Sequence, residues 1–331
     1  MIMWLGFLAC SAAIFVSGYR LSINGDVIAE KSGLGRSWVG LVLIAAVTSL
    51  PELVSGISAV AYTDSPDLAT GGVLGSCAFN LTILVVIDSL LRGKPLSSRL
   101  GSDNTMAAGM GIALIGTGAI GIFMAPSGWA FWGVGFYTPV IIILYLIAMR
   151  LIFRYSAIQS GDDPAQEDLQ YEHHSMRKSI IEFSTDSAIV IVAAIFLPVT
   201  CEAIAEQTGL GETFVGNALV AMSTSLPEFV VSLAAVKIGA VEMSVGNVLG
   251  SNMFNMLVLA VDDIFYRKGP LLSHSQPHQI VPALASIAMT AIFITGISFK
   301  AEKKRLPVGW DSLAIAAIFI LDIWLLLSLR S

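Results

Sequence analysis

Long apolar runs separated by short polar connections make up most of this chain. Most of the runs are about 20 residues long, which is the length that a helix needs to cross a bilayer. The only long polar connection, residues 155–178, separates five predicted helices from five. Apolar runs and turn signals together predict ten spanning segments, at residues 3–23, 38–61, 68–91, 104–124, 129–153, 184–205, 213–236, 243–265, 279–299 and 308–329.

The composition supports this interpretation. Hydrophobic residues make up 55% of the 331 residues and charged residues 13%, whereas about 25% are charged in soluble domains. The mean hydropathy is +0.79. The three cysteines form no C-x-x-C pair, so neither a disulfide framework nor a zinc site is indicated. We therefore predict an all-α polytopic membrane protein whose partner is the lipid bilayer, with no nucleic acid partner.

The two halves of the chain carry an internal repeat. The sequence I-A-E-x-x-G-L-G of Ile28–Gly35 recurs 176 residues later as Ile204–Gly211. Farther along, the offset becomes 175, and G-x-V-L-G-S-x-x-F-N of Gly71–Asn80 recurs as Gly246–Asn255. The repeat covers predicted helices one to three and six to eight, while the remaining helices match only in number and length.

An odd number of spans in each half makes the second half enter the membrane from the opposite face. All but three of the 18 Lys and Arg residues fall in connections on one face, and the exceptions are Arg267, Lys268 and Arg330. By the positive-inside rule that face is cytoplasmic, so both termini are expected outside the cytoplasm, in the cell inner (plasma) membrane. The predicted organisation is an N-terminal repeat at 1–154, a cytoplasmic linker at 155–178 and an inverted repeat at 179–331. Inverted repeats are typical of secondary transporters, whose sites lie near the midplane.

Each half also places one glutamate deep in a spanning run. Glu52 follows T-S-L-P in the first half and Glu228 follows T-S-L-P in the second. A carboxylate at that depth costs at least a few kcal/mol, so by default it marks an ion path or a binding site. Pro51 and Pro227 lack the N–H that would continue the helix, which leaves carbonyl oxygens beside the hydroxyls and the carboxylates. The structural alternative is a buried, hydrogen-bonded pair of glutamates.

Helices three and eight add further oxygen ligands. Ser76 and Asn80, like Ser251 and Asn255, are four residues apart and share one helix face. The candidate ligands are all oxygens, without a histidine in any span, which argues against zinc, copper or iron. Such a set suits a hard cation, calcium better than magnesium, and it could hold several sodium ions instead. No resident cofactor is expected.

Other residues in the spans have structural interpretations. The two G-x-x-x-G patterns and Ser232 are expected to pack or join helices. Asp88, Asp262 and Asp263 lie near helix ends, so they are expected to be solvated or to pair with Arg92 and Arg267. The acidic linker is expected to be solvated, because blocks of like charge usually are.

With T-S-L-P-E and G-S-x-x-F-N in each half, the chain resembles the calcium/cation antiporter superfamily, and most of all its prokaryotic sodium/calcium exchangers. The resemblance spans essentially the whole chain and implies the ten-helix sodium/calcium exchanger fold. It also implies the export of calcium in exchange for sodium or protons by alternating access. The ligand positions that it implies are Thr48, Ser49, Glu52, Ser76, Asn80, Thr224, Ser225, Glu228, Ser251 and Asn255, together with the backbone carbonyls of Ala45 and Ala221.

The residues leave the counter-ion open. Asn80 and Asn255 are both amides, whereas many members of the superfamily that the chain resembles carry an aspartate at one of these positions, so the resemblance does not imply potassium dependence. Gly72 and Cys77 also stand where the second half has Asn247 and Asn252. Sodium-coupled calcium export is the leading interpretation, and proton-coupled antiport by the two glutamates is the main alternative. A passive cation channel and an intramembrane enzyme are the other classes considered, and the enzyme lacks a nucleophile and base in the spans.

Overall fold

The computed structural model describes residues 2–125, 129–131, 133–162, 171, 173–207, 222–304 and 306–329. Two strands, β1 (Ala130–Phe131) and β2 (Val134–Gly135), pair antiparallel between the sixth and seventh helices, with Ala130 opposite Gly135. A π-helix (Val39–Ile44) joins the second helix to the third. The α-helices are α1 (Ile2–Ser32), α2 (Arg36–Trp38), α3 (Ala45–Thr48), α4 (Leu50–Ala61), α5 (Pro66–Leu90), α6 (Ser102–Met124), α7 (Tyr137–Asp162), α8 (Met176–Gln207), α9 (Leu226–Lys237), α10 (Val241–Phe265), α11 (Ile280–Phe299) and α12 (Trp310–Leu329). Short 3-10 helices lie at Ser97–Arg99, Leu271–Ser273 and Pro277–Gln279.

Nine helical stretches among the described residues are long and apolar enough to cross a membrane. They correspond to nine of the ten predicted segments, which confirms the helical, membrane-spanning fold class. The remaining prediction, 213–236, lies partly outside the described residues, which resume at residue 222 and include α9. Residues 163–170 and 172 of the predicted linker also lie outside them.

The first helix is longer than its apolar run predicts, because its polar end finds partners. The prediction ended at residue 23, whereas α1 continues to Ser32. Asp26, which is fully buried, accepts hydrogen bonds from Arg36 Nε at 2.5 Å and from the Tyr171 hydroxyl at 3.1 Å. A charged group tolerates burial when it is paired and hydrogen-bonded, so the helix extends beyond its hydrophobic segment.

The fifth predicted segment begins too early. The prediction started at residue 129, but α7 begins at Tyr137 and the β1–β2 hairpin precedes it. Gly133 lies in the turn of this hairpin with φ +82°, a conformation that glycine adopts without steric cost. An apolar run alone does not distinguish a short hairpin from the first turns of a helix.

The chain forms two compact units that do not coincide with the halves of the repeat. Unit 1 comprises Met1–Pro51 and Ile152–Val248, and unit 2 comprises Glu52–Leu151 and Leu249–Ser331. Each unit therefore draws residues from both halves, and the chain passes between units within α4, α7 and α10. The boundaries at 1–154 and 179–331 remain a prediction about the sequence repeat.

In unit 1, α1 packs along α8 and also against α9. Two glycines allow the beginning of α10 to approach the π-helix backbone to backbone. A Cβ atom on Gly40 would lie 2.1 Å from the Met243 carbonyl oxygen, and one on Gly246 would lie 2.5 Å from the Ser37 carbonyl oxygen. For Gly246, this confirms that the G-x-x-x-G pattern packs helices closely.

In unit 2, α11 packs against α5, α6 and α12, and α5 also packs against α12. Two equivalent aspartates near the ends of α5 and α10 hold the following loops. The Asp88 carboxylate accepts hydrogen bonds from the backbone N–H of Leu96 at 2.7 Å and of Gly309 at 2.5 Å. Asp263 accepts the corresponding bonds from Leu271 at 2.6 Å and Gly135 at 2.8 Å.

The expectation that these aspartates are solvated, or paired with nearby arginines, was wrong. Both are fully buried. Asp88 pairs with Lys304, whose Nζ lies 2.8 Å from Oδ1, and Asp263 accepts the Tyr137 hydroxyl at 2.6 Å. Because the two sets of contacts correspond, the structure extends the repeat into α7 and α12, where the sequence showed no match.

Candidate functional site

The two T-S-L-P-E motifs interrupt their helices at equivalent serines. Ser49 has φ −94° and ψ 3° and separates α3 from α4, while Ser225 has φ −89° and ψ 10° and precedes α9. Both lie in the sparsely allowed bridge region, which active-site residues often occupy. Each serine precedes its proline by two residues, and the proline ring clashes with the carbonyl four residues back. The interruption predicted from Pro51 and Pro227 is therefore confirmed.

In unit 1, the first motif meets the glutamate of the second. Ser49 Oγ donates a hydrogen bond to Glu228 Oε1 at 2.9 Å, and both side chains are fully buried. Thr48 Oγ1 donates to Asn247 Oδ1 at 3.3 Å. The fold therefore unites predicted ligands that are 179 residues apart in sequence.

Asn247 braces this cluster, although the sequence did not identify it as a functional residue. Its Nδ2 donates to the Glu228 backbone carbonyl at 3.3 Å and to Ser232 Oγ at 2.9 Å. The amide holds the interrupted helix at the carboxylate while its own oxygen accepts the Thr48 hydroxyl. The repeat carries a signal here, because the first half has Gly72 at the position of Asn247. A difference between the two halves does not by itself indicate which groups the amide contacts. The prediction that Ser232 joins helices is confirmed.

In unit 2, a second amide pair holds α5 and α10 together. Asn80 Nδ2 donates to Asn252 Oδ1 at 3.2 Å, and Asn252 Nδ2 donates to the Cys77 carbonyl at 3.0 Å. The Asn80 donor is thus occupied, whereas its buried Oδ1 has no hydrogen-bond partner among the described residues. Asn255 is fully buried beside Cys77, and its Oδ1 likewise has no such partner in the described part of the chain.

The remaining predicted ligands of unit 2 are also buried. Glu52, the first residue of this unit, is only 5% exposed, and it lies near Cys77. Ser76 and Ser251 are buried one helical turn before Asn80 and Asn255 respectively. The carboxylate, the two hydroxyls and the two amides are therefore all withdrawn from solvent.

The other predicted ligands lie in or near unit 1. Ser225 is buried and Thr224 half-buried at the start of the second motif. The Ala45 carbonyl accepts the backbone N–H of Ser49 at 3.0 Å, so one of its lone pairs serves the helix. Ala221 lies outside the described residues.

The chemistry of these groups suits a transported cation. Buried amide oxygens without a hydrogen-bond partner are costly unless something else, such as a cation, satisfies them. Among the described residues, no group of three or more His, Cys, Asp and Glu side chains is placed to hold a metal. Neutral oxygens combined with carboxylates are ligands typical of hard cations and not of a soft transition metal.

Interrupted spanning helices with buried carboxylates and neutral oxygens are features of the class of membrane proteins that transport ions. The family model described as sodium/calcium exchanger protein matches residues 2–160 and 185–328. The chain belongs to this family, which consists of transporters and not enzymes.

Individual relatives are distant but cover most of the chain. An uncharacterized membrane protein of Methanocaldococcus jannaschii is 25% identical over 303 residues, 91% of this chain and 90% of the relative. The sodium/calcium exchanger MaX1 of Methanosarcina acetivorans is 25% identical over 334 residues, 90% of each chain. A solved structure of the sodium-calcium exchanger NCX_Mj has a TM-score of 0.73 at 22% identity, covering 97% of this chain and 98% of its own. This likeness confirms the sodium/calcium exchanger fold.

Proposed function

We propose that this chain is a secondary active antiporter that exports calcium in exchange for sodium by alternating access. Glu52 and Glu228 bind the transported ions, assisted by the hydroxyl and amide oxygens of the two motif pairs. The observation that carries the proposal is the buried Glu228 carboxylate, which accepts the Ser49 hydroxyl at 2.9 Å. Membership of the exchanger family supports the cation antiport on which this proposal builds.

The charges explain how two ions compete. Two ionised glutamates balance one divalent cation, and the same oxygens can instead hold sodium ions. Calcium takes six to eight oxygens in flexible geometry, and the buried amide oxygens of Asn80 and Asn255 supply neutral ligands without added charge. Exchange requires that the protein changes between its outward-open and inward-open states only when a cation is bound. Without a cation, the charges of the two glutamates are uncompensated, and burying them during that change is costly.

Proton-coupled antiport is a second candidate, and a specific observation favours it. Both Asn80 and Asn255 are amides, so Glu52 and Glu228 are the only carboxylates among the proposed ligands. In this alternative, protons on the two glutamates replace bound sodium. The site and the cation stay the same, and only the counter-ion differs.

We place the protein in the cell inner (plasma) membrane with both termini outside the cytoplasm. The support is the distribution of basic residues, which concentrate in the connections on one face. The linker at 155–178 would then face the cytoplasm.

Calcium uptake into proteoliposomes tests the counter-ion. One set of vesicles carries an outward sodium gradient and another an outward proton gradient, and Glu52→Gln vesicles control for leak. We expect uptake driven by sodium that the variant abolishes. Uptake driven only by protons would establish the second candidate, and flux indifferent to both gradients would indicate a channel. Normal transport by Glu52→Gln would overturn the site assignment.

A further inference from the structure

Another acidic side chain, Asp262, is buried in unit 2 without a role in the proposed ligand set. It lies on α10, two helical turns beyond Asn255 and therefore on the same face. Its exposed fraction is 0%. Neither carboxylate oxygen has a hydrogen-bond partner among the described residues, and no ion pair with it is present there. The expectation that it is solvated, or paired with a nearby arginine, was wrong.

The position of this carboxylate depends on a glycine of the helix that carries Glu52. A Cβ atom on Gly56 would lie 2.2 Å from Asp262 Oδ2 and 2.6 Å from Oδ1. Gly56 follows Glu52 by four residues and shares its buried face of α4. Asp262 therefore reaches α4 about one turn, roughly 5.4 Å along the axis, from Glu52.

The adjacent residue, Asp263, is an aspartate of the same helix with a structural role. Asp263 accepts hydrogen bonds from two backbone N–H groups and from the hydroxyls of Tyr137 and Thr138. Asp262 has none of these contacts, although both residues are fully buried. Burying an ionised carboxylate without a partner costs free energy. Binding of a proton or a cation neutralises the charge and removes most of that cost.

The surroundings favour a proton over a metal cation. A bound metal ion requires several oxygen ligands, and Gly56 contributes no side chain. On α4, Glu52 is the titratable group nearest to Gly56. Helix α6 meets α10 where Gly118 lies near Met256. Helix α7 meets α10 where the Tyr145 ring packs against Phe254. Beyond the end of α10, Lys268 pairs with Asp64. Within the described residues, therefore, no cation is paired with Asp262.

We propose that Asp262 binds a proton that regulates cation affinity at Glu52. The inference rests on the proposed function. Ionised Asp262 adds negative potential near Glu52 and strengthens cation binding, whereas its protonated form weakens that binding. A unit charge at this separation changes affinity by on the order of tenfold or more. The repeat is asymmetric here, because Ile87 and Ser232 occupy the positions equivalent to Asp262 and Gly56.

The test measures calcium binding and sodium-driven calcium uptake between pH 5 and 9 for wild-type protein and Asp262→Asn. We expect wild-type affinity to rise with pH through one transition. The variant mimics the protonated state, so it should keep the low affinity at every pH and lose that transition. Asp263→Asn is the matched control, since it removes a neighbouring buried charge and should retain the transition. An unchanged pH profile in Asp262→Asn would overturn the proposal.

A second variant keeps the acid but displaces it. The methyl group of Gly56→Ala collides with Asp262 Oδ2, so we expect the transition to shift by about one pH unit or more. The same substitution in the Asp262→Asn background should leave the flat pH profile unchanged. A shift of equal size in both backgrounds would contradict the proposal.

Infrared difference spectra between acid and alkaline pH separate this inference from the proposed function. We expect wild-type protein to show a protonated carboxylic acid band that Asp262→Asn lacks and Asp263→Asn retains. Absence of that difference would overturn the proposal even if exchange is normal. Failure of the wild-type protein to exchange calcium for sodium, with the band present, would refute the proposed function alone.

Discussion

Glu228→Gln tests whether the carboxylate binds cations or only supports the fold. The side chain is fully buried, and its Oε1 accepts the Ser49 hydroxyl at 2.9 Å. Glutamine has nearly the same shape, and its Oε1 can accept the same hydrogen bond. We therefore expect the free energy of unfolding to change by about 1 kcal/mol or less, the net value of a typical hydrogen bond.

Cation binding should respond far more strongly. Two unit charges about 4 Å apart gain about 4 kcal/mol at an effective dielectric constant of 20, so a divalent ion gains about 8 kcal/mol from one carboxylate. If desolvation offsets half of this, about 4 kcal/mol remains, which corresponds to about a thousandfold in affinity. The loss of calcium affinity should therefore greatly exceed the loss of stability.

The assay combines calcium binding by titration calorimetry, calcium flux in proteoliposomes and thermal unfolding in detergent. Glu242→Gln is the control, because it removes the same charge from an exposed position at the start of α10. It should retain both affinity and flux. Wild-type calcium affinity in Glu228→Gln would refute the reasoning, and a large loss of stability would show that the glutamate is structural.

Three further substitutions test packing and charge. Lys304→Met removes an ammonium group that is 6% exposed and lies 2.8 Å from Asp88, so it should lower the free energy of unfolding by about 3 kcal/mol. Lys303→Met, at an exposed position, should not lower it. Equal thermal stabilities of the two variants would contradict this prediction. Gly40→Ala places a methyl group 2.1 Å from a backbone carbonyl oxygen of α10, so unfolding in detergent should reveal a loss of about 3 kcal/mol or more, and wild-type stability would disprove the close approach. Burial, reinforced by a nearby carboxylate of α1, raises the pKa of Tyr171 to about 12, so its stabilising contribution holds below about pH 10 and disappears towards pH 12. Absorbance titration should show one late-ionising tyrosine fewer in Tyr171→Phe, and an identical curve would contradict the contact.

The two glutamates of the candidate site were predictable because ionisable residues are rare in membrane-spanning sequences. Glu52 and Glu228 stand out against apolar runs, and their repetition in matching surroundings identifies them without a structure. The helix interruptions were predictable for a local reason, since a proline excludes its own N–H from the helix wherever it occurs. The contact between Ser49 and Glu228 was not predictable from either motif alone.

The amides that brace the site were missed because their role depends on distant partners. Asn247 and Asn252 differ from Gly72 and Cys77 at the equivalent positions, and sequence alone marked them only as departures. In the structure, Asn247 holds the backbone of Glu228 and Asn252 holds Asn80. A hydrogen bond between helices depends on the packing of both, which the local sequence of one does not encode.

Sequence alone determined the fold class, the internal repeat, the two carboxylates and the interruption of their helices. These features follow from short-range physics, namely the length of apolar runs, the cost of charge in a membrane and the geometry of proline. Tertiary structure decided which polar groups are satisfied: Asp88 and Asp263 hold loops, whereas Asp262 is buried against Gly56 without a partner among the described residues. It also divided the chain into units that each combine segments from both halves. Burial and hydrogen bonding are properties of a residue's neighbours in space, so identical aspartates at neighbouring positions acquire different chemistry only when the chain is folded.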